Sequence, residues 1–400
     1  MTTAPLARPF KISVSDAALT DLHQRIRNTR WVPPLPNPDW AQGTDANYLR
    51  SLLSYWAETY DWRSREAKLN SFDQFMVDVE GTGIHVVHCK AAGGGGVPLI
   101  LTHGWPGSFI EYLPVIPLLT DPASHGIAGR AFDVVVPSLP GYGFSARPTS
   151  APVDYRHVAR LWTKLMSALG YDRFGAGGGD FGSGVSTYLA LEYPERLLGL
   201  YLSYLEVSPY CGPGSRPMTD AERIYRETKS GWNHLEHGYL HIQSTKPQTL
   251  GIGLNDSPAG LASWIVEKWH SWGDTGGDVD RRFGRDTLLD NIMIYWVTQS
   301  ITSSMLDYTD NRPYFDGIAG LAIGPDDFVG VPTGISNWPF GLGSTGSAGR
   351  VTNPVPIEWP KRLYNVVHWS DMPSGGHFAA TEEPMLYARD IARFFGGLLA

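Results

Sequence analysis

The chain has 400 residues, enough for one large or two ordinary domains and for a substantial core. Its 42% hydrophobic and 18% charged fractions are those of a globular protein, and a formal net charge of −8 argues against a nucleic-acid surface. Only Cys89 and Cys211 occur, which excludes a disulfide framework and makes a reducing, cytoplasmic location the expectation.

The start, MTTAPLARPFKISVSD, has no basic segment followed by an apolar run, and no window approaches 18 uninterrupted apolar residues. Neither a signal peptide nor a membrane anchor is therefore expected. Residues 1–95 read as an N-terminal arm with the first strands. A capped helix follows Val14, a Pro-rich extended segment starts at Trp31, and a second helix covers residues 46–60. Strands are predicted over 75–79 and 84–89, joined at Gly81-Thr-Gly. From residue 96 to 208 strands and helices alternate. Strands fall at 98–102, 132–137 and 198–205, and helices at 109–119, 153–169 and 183–192. This alternation implies an α/β fold with a mostly parallel sheet. Residues 209–312 are helical, aromatic and interrupted, and read as an inserted cap. Residues 313–400 return to the sheet, with strands from Phe328 and Leu363 and a last helix over 384–395.

The segment GAGGGDFGSG, residues 175–184, admits two chemistries. Gly177–Gly182 fits G-x-G-x-x-G, a dinucleotide-binding turn, with Glu195 or Glu206 as the later acid. Asp180 would then place its charge where a pyrophosphate must sit. Gly178-Gly-Asp-Phe-Gly182 also fits a nucleophile elbow with aspartate as the nucleophile. That reading has distant support. His103-Gly-Trp-Pro-Gly follows an earlier strand, where an oxyanion loop belongs. Ser374-Gly-Gly-His377 follows the last strand, where a catalytic base belongs. Nucleophile, cap and histidine come in the order of an α/β-hydrolase.

With these motifs the chain resembles the epoxide hydrolases of the microsomal-like branch. The resemblance is carried by His103-Gly-Trp-Pro-Gly-Ser, Gly178-Gly-Asp-Phe-Gly, Gly238-Tyr-Leu-His-Ile-Gln-Ser-Thr-Lys-Pro-Gln-Thr-Leu-Gly, Asp256-Ser-Pro-Ala-Gly-Leu and Gly375-Gly-His-Phe-Ala-Ala-Thr-Glu-Glu-Pro. It implies an α/β-hydrolase fold with a helical cap and an N-terminal wrapping segment. It also implies hydrolysis of an epoxide to a vicinal diol through an ester on Asp180, with His377 activating water. The amides of Trp105 and Phe181 would form the oxyanion hole, both residues would line the substrate site, and Tyr239 and Tyr308 would give protons to the opening ring. No cofactor and no metal are expected. The partners are an epoxide and water, without nucleic acid, and a homodimer is left open. His103 reads as an organiser of its loop. The cap tryptophans Trp232, Trp264, Trp269, Trp272 and Trp296 suit a bulky aromatic or lipophilic substrate.

The resemblance fails at the carboxylate that should orient His377. Its place falls on Gly341 or, with the Gly/Ser-rich insert removed, on Val351. Glu206, at the end of the sixth core strand, is the preferred substitute. Glu358 is second, and Asp371 reads as part of a loop. Two rivals stay open: a haloalkane dehalogenase, which needs halide donors instead of tyrosine acids, and a non-catalytic binding protein on the same fold.

Overall fold

The computed structural model describes residues 7–33, 35–148, 152–315, 322–339 and 355–399. Nine strands form one sheet: β1 Ala7–Pro9, β2 Gln74–Val79, β3 Thr82–Cys89, β4 Val97–Thr102, β5 Phe132–Pro137, β6 Phe174–Gly178, β7 Leu197–Leu202, β8 Val329–Asn337 and β9 Tyr364–Asp371. Their order is β1-β2-β3-β5-β4-β6-β7-β8-β9. Pairing is antiparallel from β1 through to β5 and parallel from β5 through to β9. The mostly parallel sheet expected from the alternation is what the chain builds. Every parallel strand runs the same way, so their carboxyl ends share one edge, where α/β folds place ligands.

Sixteen α-helical elements are seen among the described residues. α1 Asp16–Arg27, α2 Ala46–Glu58 and α3 Trp62–Leu69 precede the main sheet. α4 Ile116–Thr120, α5 Tyr155–Ala168 and α6 Asp180–Glu192 lie among the core strands. Between β7 and β8 come α7 Asp220–Glu236, α8 Gly238–Thr245, α9 Pro247–Asp256, α10 Pro258–Trp272, α11 Val279–Phe283, α12 Arg285–Thr298, α13 Ile301–Asp310 and α14 Arg312–Phe315. α15 Ala379–Glu382 and α16 Pro384–Leu398 close the chain.

Two sequence readings need correction. The helix expected over 109–119 is a 3₁₀ turn, Phe109–Tyr112, followed by the short α4. Pro114 has no N–H to give and would clash with the preceding turn, whereas Pro117 is tolerated in the first turn of α4. α3 was not anticipated; it is charged along its length and buries mainly Trp62 and Leu69. The Asp61 side chain caps it by accepting from the amides of Arg63 and Ser64 at 3.0 and 3.3 Å.

The first helices grip the helical segment that follows β7. Three tyrosines of residues 48–60 each donate to an aspartate there: Tyr48 to Asp280 at 2.6 Å, Tyr55 to Asp286 at 2.9 Å and Tyr60 to Asp290 at 2.7 Å. Arg65 adds a two-atom grip on Asp290, and Arg25 reaches Asp256 at 2.7 Å. No helix of the described residues is long and apolar enough to cross a membrane. Cys89 and Cys211 are not joined to one another.

Candidate active site

β6 runs directly into α6, and Asp180 is the first helical residue after the turn. Its φ of +48° lies in the left-handed region that side-chain-bearing residues avoid. The turn is closed by close approach: a Cβ on Gly182 would lie 1.8 Å from the Thr102 carbonyl oxygen, and one on Gly104 would lie 2.2 Å from Asp180 Oδ1. The strained turn pushes the Asp180 carboxylate out over the carboxyl edge of the sheet. There the amide of Trp105 donates to Oδ1 at 2.9 Å. A pyrophosphate has no place at this helix start, so the dinucleotide reading fails.

The loop after β4 is held from several sides. His103 donates from Nδ1 to its neighbour's carbonyl at 3.1 Å and accepts the Leu139 amide at Nε2 at 3.2 Å. Burial pushes its pKa down to about 4, so it is neutral and committed to the loop. Asn291 donates to the Pro106 carbonyl at 2.7 Å and accepts from Ser108 at 2.8 Å, while Tyr295 donates to the Gly107 carbonyl at 2.7 Å. These two residues of α12 carry no sequence motif, and nothing in the sequence reading singled them out.

His377 follows β9. Its Nε2 lies 3.4 Å from Asp180 Oδ2, longer than a charge-assisted hydrogen bond. Its ring packs against Trp272 and Tyr204, with centroids at 5.0 and 5.4 Å. Buried Nδ1 has no hydrogen-bond partner among the described residues. The preferred acid is not brought to it. Glu206 accepts from the Tyr155 hydroxyl at 3.1 Å, while Tyr204, two residues earlier, takes the place against the His377 ring. Burial, then the nearby Asp180 charge, raise the Glu206 pKa to about 7. Glu358 is exposed, and its carbonyl receives Arg216 at 2.7 Å. Asp371 accepts from Asn337 at 2.8 Å and Trp369 at 3.1 Å. Gly341 and Val351 lie outside the described residues.

Tyr239 on α8 and Tyr308 on α13 meet above Asp180. Both are buried, and their rings stand 5.7 Å apart at 87°. Tyr239 stacks on Trp105 at 5.4 Å, and Tyr308 sets its edge against Phe181 at 4.8 Å. Burial, then the Asp180 charge, hold Tyr239 protonated; burial, then Tyr239 and Asp180, do the same for Tyr308.

A cavity of about 630 Å³ opens from this point. Asp180, Phe181, Tyr239 and Tyr308 lie on its wall, with Tyr155 and Tyr188 beside them. Trp105 does not reach the wall with its indole, which is fully buried, so its expected substrate contact is absent and its contribution is the amide. None of the helical segment's tryptophans lines the cavity: Trp272 backs His377, and Trp269 stacks on Phe378 at 4.3 Å. Further along, the cavity is lined by Lys229, Asn233, His237 and His241. No group of His, Cys, Asp and Glu among the described residues is arranged to hold a metal ion.

An aspartate on a strand-to-helix elbow, an amide donor from the loop after β4 and a histidine after the last strand define an α/β-hydrolase. Residues 97–223 match the alpha/beta hydrolase fold pattern, and residues 7–112 match the pattern named epoxide hydrolase N terminus. Epoxide hydrolase 1 of Oryctolagus cuniculus is 39% identical over 97% of this chain and 88% of its own. The crystal structure of juvenile hormone epoxide hydrolase from the silkworm Bombyx mori superposes with a TM-score of 0.86 at 31% identity, covering 99% of this chain and 95% of that one. The epoxide hydrolase structure from Aspergillus niger gives a TM-score of 0.82 at 29% identity, covering 99% and 97%. The chain belongs to the epoxide hydrolase family, which removes the dehalogenase and the non-catalytic rival as readings of it.

Proposed function

We propose that this enzyme converts an epoxide to a vicinal diol through an ester on Asp180. The observation that carries the reading is the placing of one carboxylate between a backbone donor and a histidine, on the wall of a cavity that two buried tyrosines also line. An aspartate carboxylate needs no base to attack. With Oδ1 held by the Trp105 amide, Oδ2 attacks an epoxide carbon and the C–O bond breaks. The departing oxygen takes a proton from Tyr239 or Tyr308, since an alkoxide leaves poorly without one.

The second half needs a base. His377 takes a proton from water, and the resulting hydroxide attacks the ester carbonyl. The oxyanion formed is met by the amides of Trp105 and Phe181. Collapse expels the diol oxygen, which takes the imidazolium proton. The proton left on Asp180 returns to the tyrosinate through solvent. Glu206 enters as the carboxylate in the segment just past the end of β7, and serving His377 requires its release from Tyr155. Glu206→Gln is expected to slow ester hydrolysis more than ester formation, and Glu358→Gln to change neither. Hydrolysis at the wild-type rate in Glu206→Gln removes Glu206 from the triad.

The cavity favours a substrate with an aromatic or apolar body near the epoxide, against Phe181 and the tyrosines. Lys229 forms no ion pair among the described residues, and Asn233 Oδ1 is buried without a partner. The far end of the substrate therefore carries a polar group, so a purely lipophilic epoxide fills only part of the site.

The covalent step is tested by mass spectrometry of intact protein after a single turnover with excess epoxide. Wild type and His377→Gln should show the adduct, the latter accumulating it. Asp180→Asn should show none, and an adduct on that protein overturns the assignment.

A further inference from the structure

Tyr239 faces a problem that burial creates. Taken from water and set near Asp180, its hydroxyl holds its proton more tightly than free tyrosine does. Yet the proposed first step requires that proton to leave as the epoxide C–O bond breaks, and a phenolate to stand briefly in its place. The charge on Asp180 is consumed as its ester forms, but two further carboxylates near the ring, Glu206 and Glu267, still oppose a phenolate there. His237 touches the ring edge-on at 6.1 Å, but burial and Lys229 push its pKa down to about 4, so it is neutral. Tyr308 favours the phenolate by donating a hydrogen bond.

One cation lies against the ring. Lys268 on α10 is 5% exposed, and its Nζ stands over Tyr239 at 4.8 Å from the centroid and over Trp272 at 5.6 Å. A lysine ammonium this deep is costly unless paired. Its ion-pair partner is its own neighbour, Glu267, at 2.6 Å, whose side chain is 23% exposed against 6% for Lys268. Glu267 thus leans to solvent, and the positive end of the pair is turned to the aromatic ring. A cation over a neutral phenol gains a modest quadrupole attraction; over a phenolate, whose charge spreads into the ring, it gains a direct Coulomb attraction. The contact is therefore stronger in the transition state than in the ground state, which is the condition for accelerating the step.

Resting on the Asp180-ester reading above, we propose that Lys268 is a positioning residue that stabilises the Tyr239 phenolate as the epoxide ring opens. It touches no substrate and acts only through Tyr239. Lys268→Met alone strands Glu267, so the decisive protein is the double variant Glu267→Gln/Lys268→Met. With styrene oxide as the probe, stopped-flow tryptophan fluorescence should show alkylation slowed about tenfold and ester hydrolysis within about twofold of wild type. Lys268→Arg, which keeps a cation over the ring, should restore alkylation. In a Tyr239→Phe background the double change should cost alkylation nothing further. A merely structural lysine would slow both half-reactions, or would slow alkylation equally without the Tyr239 hydroxyl; either result overturns the proposal. Failure of the underlying reading looks different: no ester on Asp180, or full alkylation in Tyr239→Phe.

Discussion

At the scale of single residues, much of the site is a set of forced positions. Asp180 holds a backbone angle that costs about 1–3 kcal/mol, kept in place by contacts on either side. Gly182 is one of them, since any side chain there meets the Thr102 carbonyl. Gly182→Ala is expected to lower stability by about 3 kcal/mol, read as a drop in the urea midpoint at unchanged slope. Of the two tyrosines, neither hydroxyl is held by a group outside the pair among the described residues. Tyr239→Phe and Tyr308→Phe should each slow alkylation by roughly 10–1000-fold, the range for losing a positioned acid or donor, and leave ester hydrolysis largely intact. Rates near wild type for both in stopped flow would make them packing residues.

At the scale of elements, the loop after β4 depends on α12, nearly two hundred residues away in sequence. Asn291→Leu would leave the Ser108 hydroxyl and the Pro106 carbonyl unpaired inside the protein. The expected cost is about 2–4 kcal/mol, together with a fall in kcat as the Trp105 amide loses its fixed aim. A variant with normal kcat and normal thermal midpoint would show that the loop holds itself. On the cavity's far wall, Lys229→Met should raise KM for an epoxide bearing a carboxylate and leave KM for styrene oxide unchanged; equal effects on both would remove Lys229 from substrate binding. The elements differed in how readable they were. β5 is legible from its three consecutive valines between Phe132 and Pro137, a run broken only by Asp133. β6, Phe-Gly-Ala-Gly-Gly, is weak as a strand pattern. Its glycines are there because neighbours crowd it, Phe395 lying 2.5 Å from where a Gly175 Cβ would be. Asp180 and His377 were legible because elbow and histidine turn need particular residues in a particular order. Asn291, Tyr295 and Lys268 were not, since a polar residue inside a helix carries no local sign of what it will meet. Alternation placed Glu206 at a strand end, but β7 stops at Leu202, and past that point the strand's periodicity no longer tells where a side chain turns.

For the whole molecule, buried acid makes stability depend on pH. Burial, then the Asp180 and Glu382 charges, raise the Glu111 pKa to about 8. A raised acid is protonated in the fold while the unfolded chain has already ionised, so the unfolded state binds fewer protons. Stability contributed by this group is full below the unfolded value near 4.5 and is lost as pH rises towards 8. Glu111→Gln should therefore flatten the fall of Tm between pH 5 and pH 8. A Tm profile identical to wild type would mean that Glu111 is ionised in the fold.

The tyrosine–aspartate grips between the N-terminal helices and the helical segment join residues some 230 positions apart, as in Tyr55 to Asp286 and Tyr60 to Asp290. On a ribosome making about 5–20 residues per second, Tyr60 waits about ten to fifty seconds before Asp290 exists. Through that interval the first helices have water where their acceptors will be, and the apolar faces of α1 and α2 have only part of their eventual cover. The last partners to be synthesised are thus the ones that shelter the first residues made. The nascent enzyme is most open to chaperones and proteases at its oldest end, and the closing of these grips marks the end of its exposure.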